Sequence, residues 1–275
     1  MTSLSMDRFD MKTDEVSPAP VFICLLGSFR LLKHNTLLFN NSPKTRLLLS
    51  TLAMQPKQTI SREHLLDTIW PCTDPRTSGP QLRCMLFKLR KALSAVLGGE
   101  PPIVRDGNVY RLNVHAGIGI DVSAFETCIA FGDKAAQSHD DFCAARHYVD
   151  AERLYCGDLL QLDTGLDESA CDIEIERERL RGMRVRALNH LANYAYAQKA
   201  YLDSLRFAHT ILSGHPCYEP AYRLIMACHL RRGERALAFR QYNVCLSTLH
   251  TLCGVEPEQE TREFYERMRS KPESI

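Results

Sequence analysis

A repeat with a period of 34 residues is the sequence feature that most restricts the fold of this chain. The stretch KAYLDSLRFAHTILS (199–213) aligns without a gap with GERALAFRQYNVCLS (233–247), and the alignment pairs Leu205 with Phe239. A period of 34 residues is that of tetratricopeptide helix pairs, which stack to bury a shared core and leave a groove. Because only two copies are visible, we expect earlier helices, at about 122–183, to supply the remaining packing.

The first half of the chain has a different order of elements. The stretch VFICLLGSFRLL (21–32) is rich in β-branched and aromatic residues, which predicts strands. Two helical patterns follow, KTRLLLSTLAMQ (44–55) and SREHLLDTIW (61–70), and the proline-rich stretch after them is expected to end the second helix. A third helix is predicted to start at Ser78 or Gly79.

A hairpin signal comes after the third helix. Two β-prone runs in IVRDGNVYRLNV (103–114) flank an Asp-Gly-Asn turn. This order is that of a winged helix-turn-helix, in which the third helix enters the major groove of DNA and the hairpin is the wing. From about Asp121 onward the pattern is helical. The predicted fold class is therefore an α+β winged helix-turn-helix, with N-terminal strands, three helices and a C-terminal hairpin wing, followed by an all-α tetratricopeptide-like domain.

Charge is divided unevenly between the two halves. Residues 21–118 contain 13 Lys and Arg against 5 Asp and Glu, whereas residues 119–275 contain 19 against 24. A basic half joined to an acidic half indicates a polyanion-binding domain next to a second module. Because membrane surfaces are polyanions too, charge alone leaves both partners open.

Two further features indicate the compartment. The first twenty residues lack the apolar core of a signal peptide, and no apolar run approaches the ~20 residues of a membrane-spanning helix. The 11 cysteines are odd in number and scattered, with no CxxC pair, which favours reduced thiols. We therefore expect a cytoplasmic protein. If it binds DNA, it is also expected to be nucleoid-associated and to have no membrane partner.

The stretch QLRCMLFKLRKAL (81–93) predicts a helix with one apolar and one cationic face. Arg and Lys can pair with guanine O6 and N7, and Gln with adenine N6 and N7, so such a face can recognise bases in the major groove. A solvated basic face is the alternative. The predicted DNA contacts of this helix are Gln81, Arg83, Cys84, Lys88, Arg90 and Lys91, with Phe87 exposed among them.

Two further pairs of basic residues are candidate contacts. Arg105 and Arg111 flank the wing turn, where an arginine can enter the minor groove or hold a phosphate. Lys44 and Arg46 start the first helix, where backbone N–H groups also favour a phosphate. An ordinary surface hairpin and plain surface charge are the alternatives for the two pairs.

Enzymatic and metal-binding functions find little support. No G-x-S-x-G elbow, phosphate loop, HExxH or dinucleotide fingerprint occurs, so we predict no catalytic residue and no cofactor. His139, Cys143 and His147 are spaced for one helix face, but successive turns ~6 Å apart do not converge on one ion, and no metal site is predicted. Cys84, among basic residues, is a weaker candidate for a redox switch than for a simple contact.

Seven stretches together resemble the SARP-type (Streptomyces antibiotic regulatory protein) family of activators. They are LGSFRLL, SREHLLDTIWP, LRCMLFKLRKAL, DVSAFE, LYCGDLL, ERERLRGMRVRALNHLA and CGVEPEQETREFYERM, which span residues 26 to 268. The resemblance implies a response-regulator-type winged helix, then a bacterial transcriptional activation domain. It also implies duplex binding at direct repeats and recruitment of RNA polymerase holoenzyme. The chain has no GxxxxGK[ST] stretch, so it looks like a small member without the ATPase domain of larger ones.

The same resemblance assigns roles to individual residues. Aligned on LRKAL, Arg83, Cys84 and Lys88 fall at positions that face bases, and Arg90 falls where phosphate contact is expected. Two residues depart from the family pattern. Pro80 interrupts the start of the recognition helix, so its first turn is expected to be absent or bent, and Val109 replaces the usual Gly of the wing.

These observations lead to one hypothesis with two alternatives. We predict a transcription activator that binds double-stranded DNA as a homodimer and contacts RNA polymerase holoenzyme. The alternatives are a helical-repeat interaction module with non-specific DNA anchoring, and an effector-controlled repressor. The predicted domains are a flexible tail (1–20), the winged helix-turn-helix (21–118), the tetratricopeptide-like activation domain (119–270) and a second tail (271–275).

Overall fold

The computed structural model describes residues 19–37, 42–55, 59–161 and 171–270. Residues 1–18 and 271–275, which include most of the first predicted tail (1–20) and all of the second, lie outside the described residues. The chain forms two compact units, which we treat separately. The mixed unit comprises residues 13–127 and 153–180, and the helical unit contains residues 128–152 and 181–275. The predicted boundary between the two domains, after residue 118, remains a prediction.

Within the described residues of the mixed unit, seven short strands form two sheets. The N-terminal sheet has the order β3-β2-β1-β7, with β1 antiparallel to β2 and parallel to β7. The wing sheet has the order β4-β6-β5, and all of its pairs are antiparallel. The strands are β1 (Val21–Cys24), β2 (Arg30–Lys33), β3 (Thr36–Leu37), β4 (Ile60–Ser61), β5 (Ile103–Asp106), β6 (Val109–Leu112) and β7 (Ile118–Ile120).

Three helices complete the winged helix-turn-helix. They are α1 (Pro43–Met54), α2 (Arg62–Ile69) and α3 (Pro75–Leu93). Each begins at a side-chain cap, because Ser42, Ser61 and Asp74 accept hydrogen bonds from backbone N–H groups of the first turn. α1 packs on α2 and on β6, and α2 packs on α3. This arrangement confirms the predicted winged helix-turn-helix.

The predicted start of α3 at Ser78 or Gly79 is wrong. The helix begins at Pro75, because the Asp74 carboxylate accepts a hydrogen bond from the backbone N–H of Arg76 at 2.8 Å and caps the turn. Proline is favoured in the first turn, where its missing N–H leaves no bond unmade. Pro80 therefore lies inside the helix, and the first turn, which was expected to be absent or bent, is present.

Asp121 is the first residue of the helix that follows β7, and its side chain binds the backbone just after β1. Its carboxylate is 2% exposed and accepts hydrogen bonds of 2.8 Å from the backbone N–H groups of Leu25, Leu26 and Val122. Burial raises the pKa of this carboxyl, and the three donors act in the opposite direction. The contact lets β1 end inside the core without unpaired backbone donors.

The remaining helices include the predicted repeat. α7 begins at Tyr201 and α9 at Arg235, which are 34 residues apart, and the aligned Ser204 and Ala238 are both fully buried. The second helices, α8 and α10, start 40 residues apart because α9 is longer than α7. The helices are α4 (Asp121–Gln137), α5 (Asp141–Leu154), α6 (Cys171–Ala197), α7 (Tyr201–Gly214), α8 (Glu219–Arg231), α9 (Arg235–Cys253) and α10 (Gln259–Ser270).

Small and aliphatic side chains hold the repeats together in the helical unit. Ala208 and Ile211 of α7 pack with Ala221 and Ile225 of α8. The next layer contains buried residues of α8, α9 and α10, among them Ala238. These layers confirm an all-α, tetratricopeptide-like arrangement. In the part of the chain that the structure describes, no helix is long and apolar enough to cross a membrane.

Candidate nucleic-acid interface

The third helix of the mixed unit separates apolar from basic residues as its sequence predicts. Leu82, Met85, Leu89 and Leu93 are buried, and Leu86 is half-buried. The opposite side is open to solvent. All of the predicted contact residues of this helix are exposed: Gln81, Arg83, Cys84, Lys88, Arg90 and Lys91.

Sequence analysis missed one exposed arginine of α3. Arg76 lies in the first turn, seven residues before Arg83, which is seven residues before Arg90. Because seven residues make nearly two helical turns, the three guanidinium groups follow one line along the helix. The Asp74-Pro75 pair is the signal that could have placed Arg76 in the helix, as an N-cap followed by a first-turn proline.

A side chain of α2 also packs against the N-terminal part of α3. The guanidinium of Arg62 occupies the space in which a side chain at Gly79 would stand. Gly79 and Ser78 are buried, and the Ser78 hydroxyl donates to the carbonyl of Asp74 at 3.2 Å. These contacts hold the N-terminal part of α3 against the start of α2.

The register of the wing separates its two arginines. Arg105 of β5 pairs with Tyr110 of β6, whereas Arg111 pairs with Val104. Since successive side chains of a strand point to opposite faces, Arg105 and Arg111 lie on opposite faces of the hairpin. The Arg105 Nε donates to the carbonyl of Gly107 at 2.8 Å, and its guanidinium lies 5.9 Å from the Tyr110 ring centroid. Arg105 is therefore held beside the turn, and Arg111 is half-exposed on the other face.

The wing is tied to the second helix at its turn. The Asn108 side-chain amide donates to the Glu63 carboxylate at 2.7 Å, and the Arg62 backbone N–H donates to the Asn108 carbonyl at 2.8 Å. Hydrogen bonds from its own backbone and from Asn108 lower the pKa of Glu63. β4 adds to this connection by pairing with β6. The wing tip therefore has a fixed position relative to the start of α2.

The N-terminus of α1 carries the other predicted basic pair. Lys44 and Arg46 are both exposed, and the Lys44 Nζ lies 5.1 Å from the Trp70 ring centroid. The contact with Trp70 brings the first turn of α1 next to the end of α2. Backbone N–H groups at a helix start can bind a phosphate together with a neighbouring lysine. The DNA contacts of all the named residues stay predictions.

The prediction that one helix carries His139, Cys143 and His147 on a single face is wrong. His139 precedes α5, with a φ of 58°, so the three residues do not share one helix. His147 lies against Phe131, with ring centroids 5.5 Å apart. Within the described residues, no group of three or more His, Cys, Asp or Glu side chains is arranged to hold a metal ion.

Comparisons with known proteins identify relatives of nearly the whole chain. "Regulatory protein AfsR" of Streptomyces griseus is 23% identical over 252 residues, and its Streptomyces coelicolor counterpart is 24% identical over 245. The aligned part covers 91% and 89% of this chain but only 25% and 24% of those proteins, so the chain spans about a quarter of their length. "Transcriptional regulatory protein MoaR1" of Mycobacterium bovis is 24% identical over 89% of this chain and 78% of that protein.

A solved structure and a family model agree with these relatives. Mycobacterium tuberculosis EmbR, in complex with a low-affinity phosphopeptide, superposes with a TM-score of 0.75 and 20% identity over 91% of this chain and 65% of that one. At this identity the likeness shows a common fold. Residues 120–269 match the family model of the bacterial transcriptional activator domain, more than half of the chain. The family points to a transcriptional regulator rather than an enzyme. The protein therefore belongs to the bacterial transcriptional activator domain family and is a SARP-type regulator, in which this domain follows a winged helix-turn-helix.

Proposed function

We propose that this protein is a transcription activator that binds direct-repeat promoter sites through its winged helix and recruits RNA polymerase holoenzyme. One protomer binds each half-site, head to tail, so the half-sites lie about one helical turn apart, roughly 10 to 11 base pairs. The protein acts in the cytoplasm at the nucleoid and needs no cofactor. The helical domain serves self-association of the two protomers or regulation.

The exposed basic face of α3 is the observation that carries this proposal. Arg83 and Lys88 are exposed on the side opposite the buried Leu82 and Leu89. An arginine or lysine on the outer face of such a helix can make bonds to guanine in the major groove. The wing and the start of α1 add basic groups that suit phosphates on either side of the groove.

The test is a selection from random duplexes with the full-length protein at physiological salt. The expected result is a repeated motif with a spacing of one turn. Arg83→Ala and Lys88→Ala should weaken or change the motif, because each removes a group assigned to bases. Arg240→Ala removes an exposed arginine of α9 and is the matched control. Enrichment of no motif would refute site-specific binding and leave the non-specific anchor.

Activation is tested separately from binding. On a linear template with the selected repeat upstream of a weak promoter, added protein should increase run-off transcription by RNA polymerase holoenzyme. A decrease would favour the repressor alternative, and a dependence on an added metabolite would favour effector control. The two-protomer arrangement predicts a larger complex on a repeat than on a single half-site in analytical ultracentrifugation. One protomer on both duplexes would contradict it.

A further inference from the structure

The outermost line of the recognition helix α3 is neutral from Pro80 to Phe87, although basic residues flank it. At 100° per residue, Pro80, Cys84, Phe87 and Lys91 lie within ~60° of one another, diametrically opposite the buried Leu89. The three arginines spaced seven residues apart, Arg76, Arg83 and Arg90, run along one side of this line. Gln81 and Lys88 run along the other. The helix therefore presents a strip that is neutral from Pro80 to Phe87 and ends at Lys91, between two polar rows.

Phe87 is the most prominent group of this strip. Its side chain is 68% exposed, whereas the other large apolar residues of α3 are buried or half-buried. Phe87 therefore adds nothing to the core through which α3 packs on α2. An exposed phenyl ring between cationic rows is suited to an apolar group embedded in a polyanion.

The major groove of duplex DNA contains one such group. Among the base edges in that groove, the thymine C5 methyl is the apolar feature, and side chains such as Phe can contact it. We infer that Phe87 is a specificity-determining residue that packs on the C5 methyl of a thymine in each half-site. This inference rests on the proposed function, and it adds an apolar contact to the hydrogen-bonding residues of the same face.

An anionic membrane is the other polyanionic surface that a basic face with an exposed aromatic group can meet. Membrane-surface helices offer a continuous apolar face to the lipid. In α3 that face is already buried, since Leu82, Met85, Leu89 and Leu93 lie in the core. A single exposed ring favours one methyl group in a groove over a lipid surface.

The experiment replaces each thymine of the selected motif, one at a time, with deoxyuridine, which lacks only the C5 methyl. Dissociation constants of full-length protein are measured by fluorescence anisotropy. For the unmodified protein, at least one thymine per half-site should show a loss of about fourfold, the factor expected for burying one methyl group. Phe87→Ala should bind thymine and deoxyuridine duplexes equally. Phe131→Ala, which truncates a 54% exposed phenylalanine of α4, should behave like the unmodified protein.

The outcomes separate this inference from the proposed function. If a motif is selected but deoxyuridine has no effect at any position, or if Phe87→Ala retains the same effect, the inference is overturned and the proposed function stands. If no motif is selected, both fall. Vesicles of phosphatidylglycerol and phosphatidylcholine provide the last comparison. Loss of vesicle binding in Phe87→Ala, with unchanged deoxyuridine discrimination, would assign the ring to a membrane and overturn the inference.

Discussion

The salt dependence of DNA binding tests the predicted interface quantitatively. Nine cationic side chains belong to it, and the two wing arginines count as one contact because they lie on opposite faces of the hairpin: Lys44, Arg46, Arg76, Arg83, Lys88, Arg90, Lys91, Arg105 and Arg111. If Arg83 and Lys88 contact bases, about six remain for phosphates, and log Kd should rise with log salt with a slope of about 5.4 per protomer. Affinity should then fall about 1,800-fold between 50 and 200 mM salt.

Removing one phosphate contact should change this slope by a known amount. Arg90→Ala lowers the expected slope to about 4.5, so the fall over the same salt range becomes about 500-fold. The assay is fluorescence anisotropy on a duplex with a single half-site, at several NaCl concentrations. Arg240→Ala, with its exposed charge on α9, should leave the slope unchanged.

Two results would refute this reasoning. If Arg90→Ala weakened binding by the same factor at every salt concentration, Arg90 would not neutralise a phosphate. If the unmodified protein gave a slope near 2, fewer than half of the proposed phosphate contacts would form. In the second case the basic face of α3 would be mainly hydrated.

Three other perturbations have defined outcomes. Asp121→Ala should lower the free energy of unfolding in urea by about 3 kcal/mol, because the fully buried N–H groups of Leu25 and Leu26 lose their acceptor; a change as small as that of a surface aspartate would contradict this. Pro80→Ala should raise it by about 1 kcal/mol, because alanine restores a backbone donor inside α3, and a decrease would mean that proline fits a local bend. Peroxide should join Cys217 and Cys253, whose Sγ atoms lie 3.0 Å apart and 36 residues apart in sequence, and raise stability by about 4 kcal/mol; the peptide map of the oxidised protein checks the bond.

Local signals explain the parts of the fold that the sequence predicts. The spacing of Leu82, Leu89 and Leu93 identifies the buried face of α3, and the Asp-Gly-Asn turn identifies the wing. Ser61 marks the start of α2 because its side chain accepts from the backbone N–H of His64 at 3.1 Å. These features depend on residues only a few positions apart, so a single sequence contains them.

Contacts between distant residues explain what the sequence does not predict. β4 has two residues, and it becomes a strand only through pairing with β6 about fifty residues later. Asp121 accepts bonds from Leu25 and Leu26, which are 96 and 95 residues away. The start of α3 was missed for a different reason. The local signal at Asp74 was present, but the prolines around it also predict the end of α2.

The wing shows how register adds to a correct local prediction. Sequence analysis places Arg105 and Arg111 on either side of the turn as one functional pair. The pairing of Arg105 with Tyr110 puts the two arginines on opposite faces. One face of a hairpin inserted beside the duplex meets the groove, and the other meets solvent or the adjacent backbone. The two arginines therefore cannot make equivalent phosphate contacts, and substituting each alone should affect binding unequally.

The arrangement of α3 argues for sequence-specific binding over generic anchoring. A generic anchor benefits from positive charge at every exposed position, because phosphate contacts provide affinity without sequence information. α3 instead keeps neutral groups, Cys84 and Phe87, at the centre of its exposed face, with Lys91 at the C-terminal end of that line, and its other arginines and lysine lie at the sides. Side positions reach the phosphates and base edges at the walls of a groove, and the centre faces its floor. An exposed ring at that position contributes to binding only where the bases beneath it offer an apolar surface, which makes affinity depend on sequence.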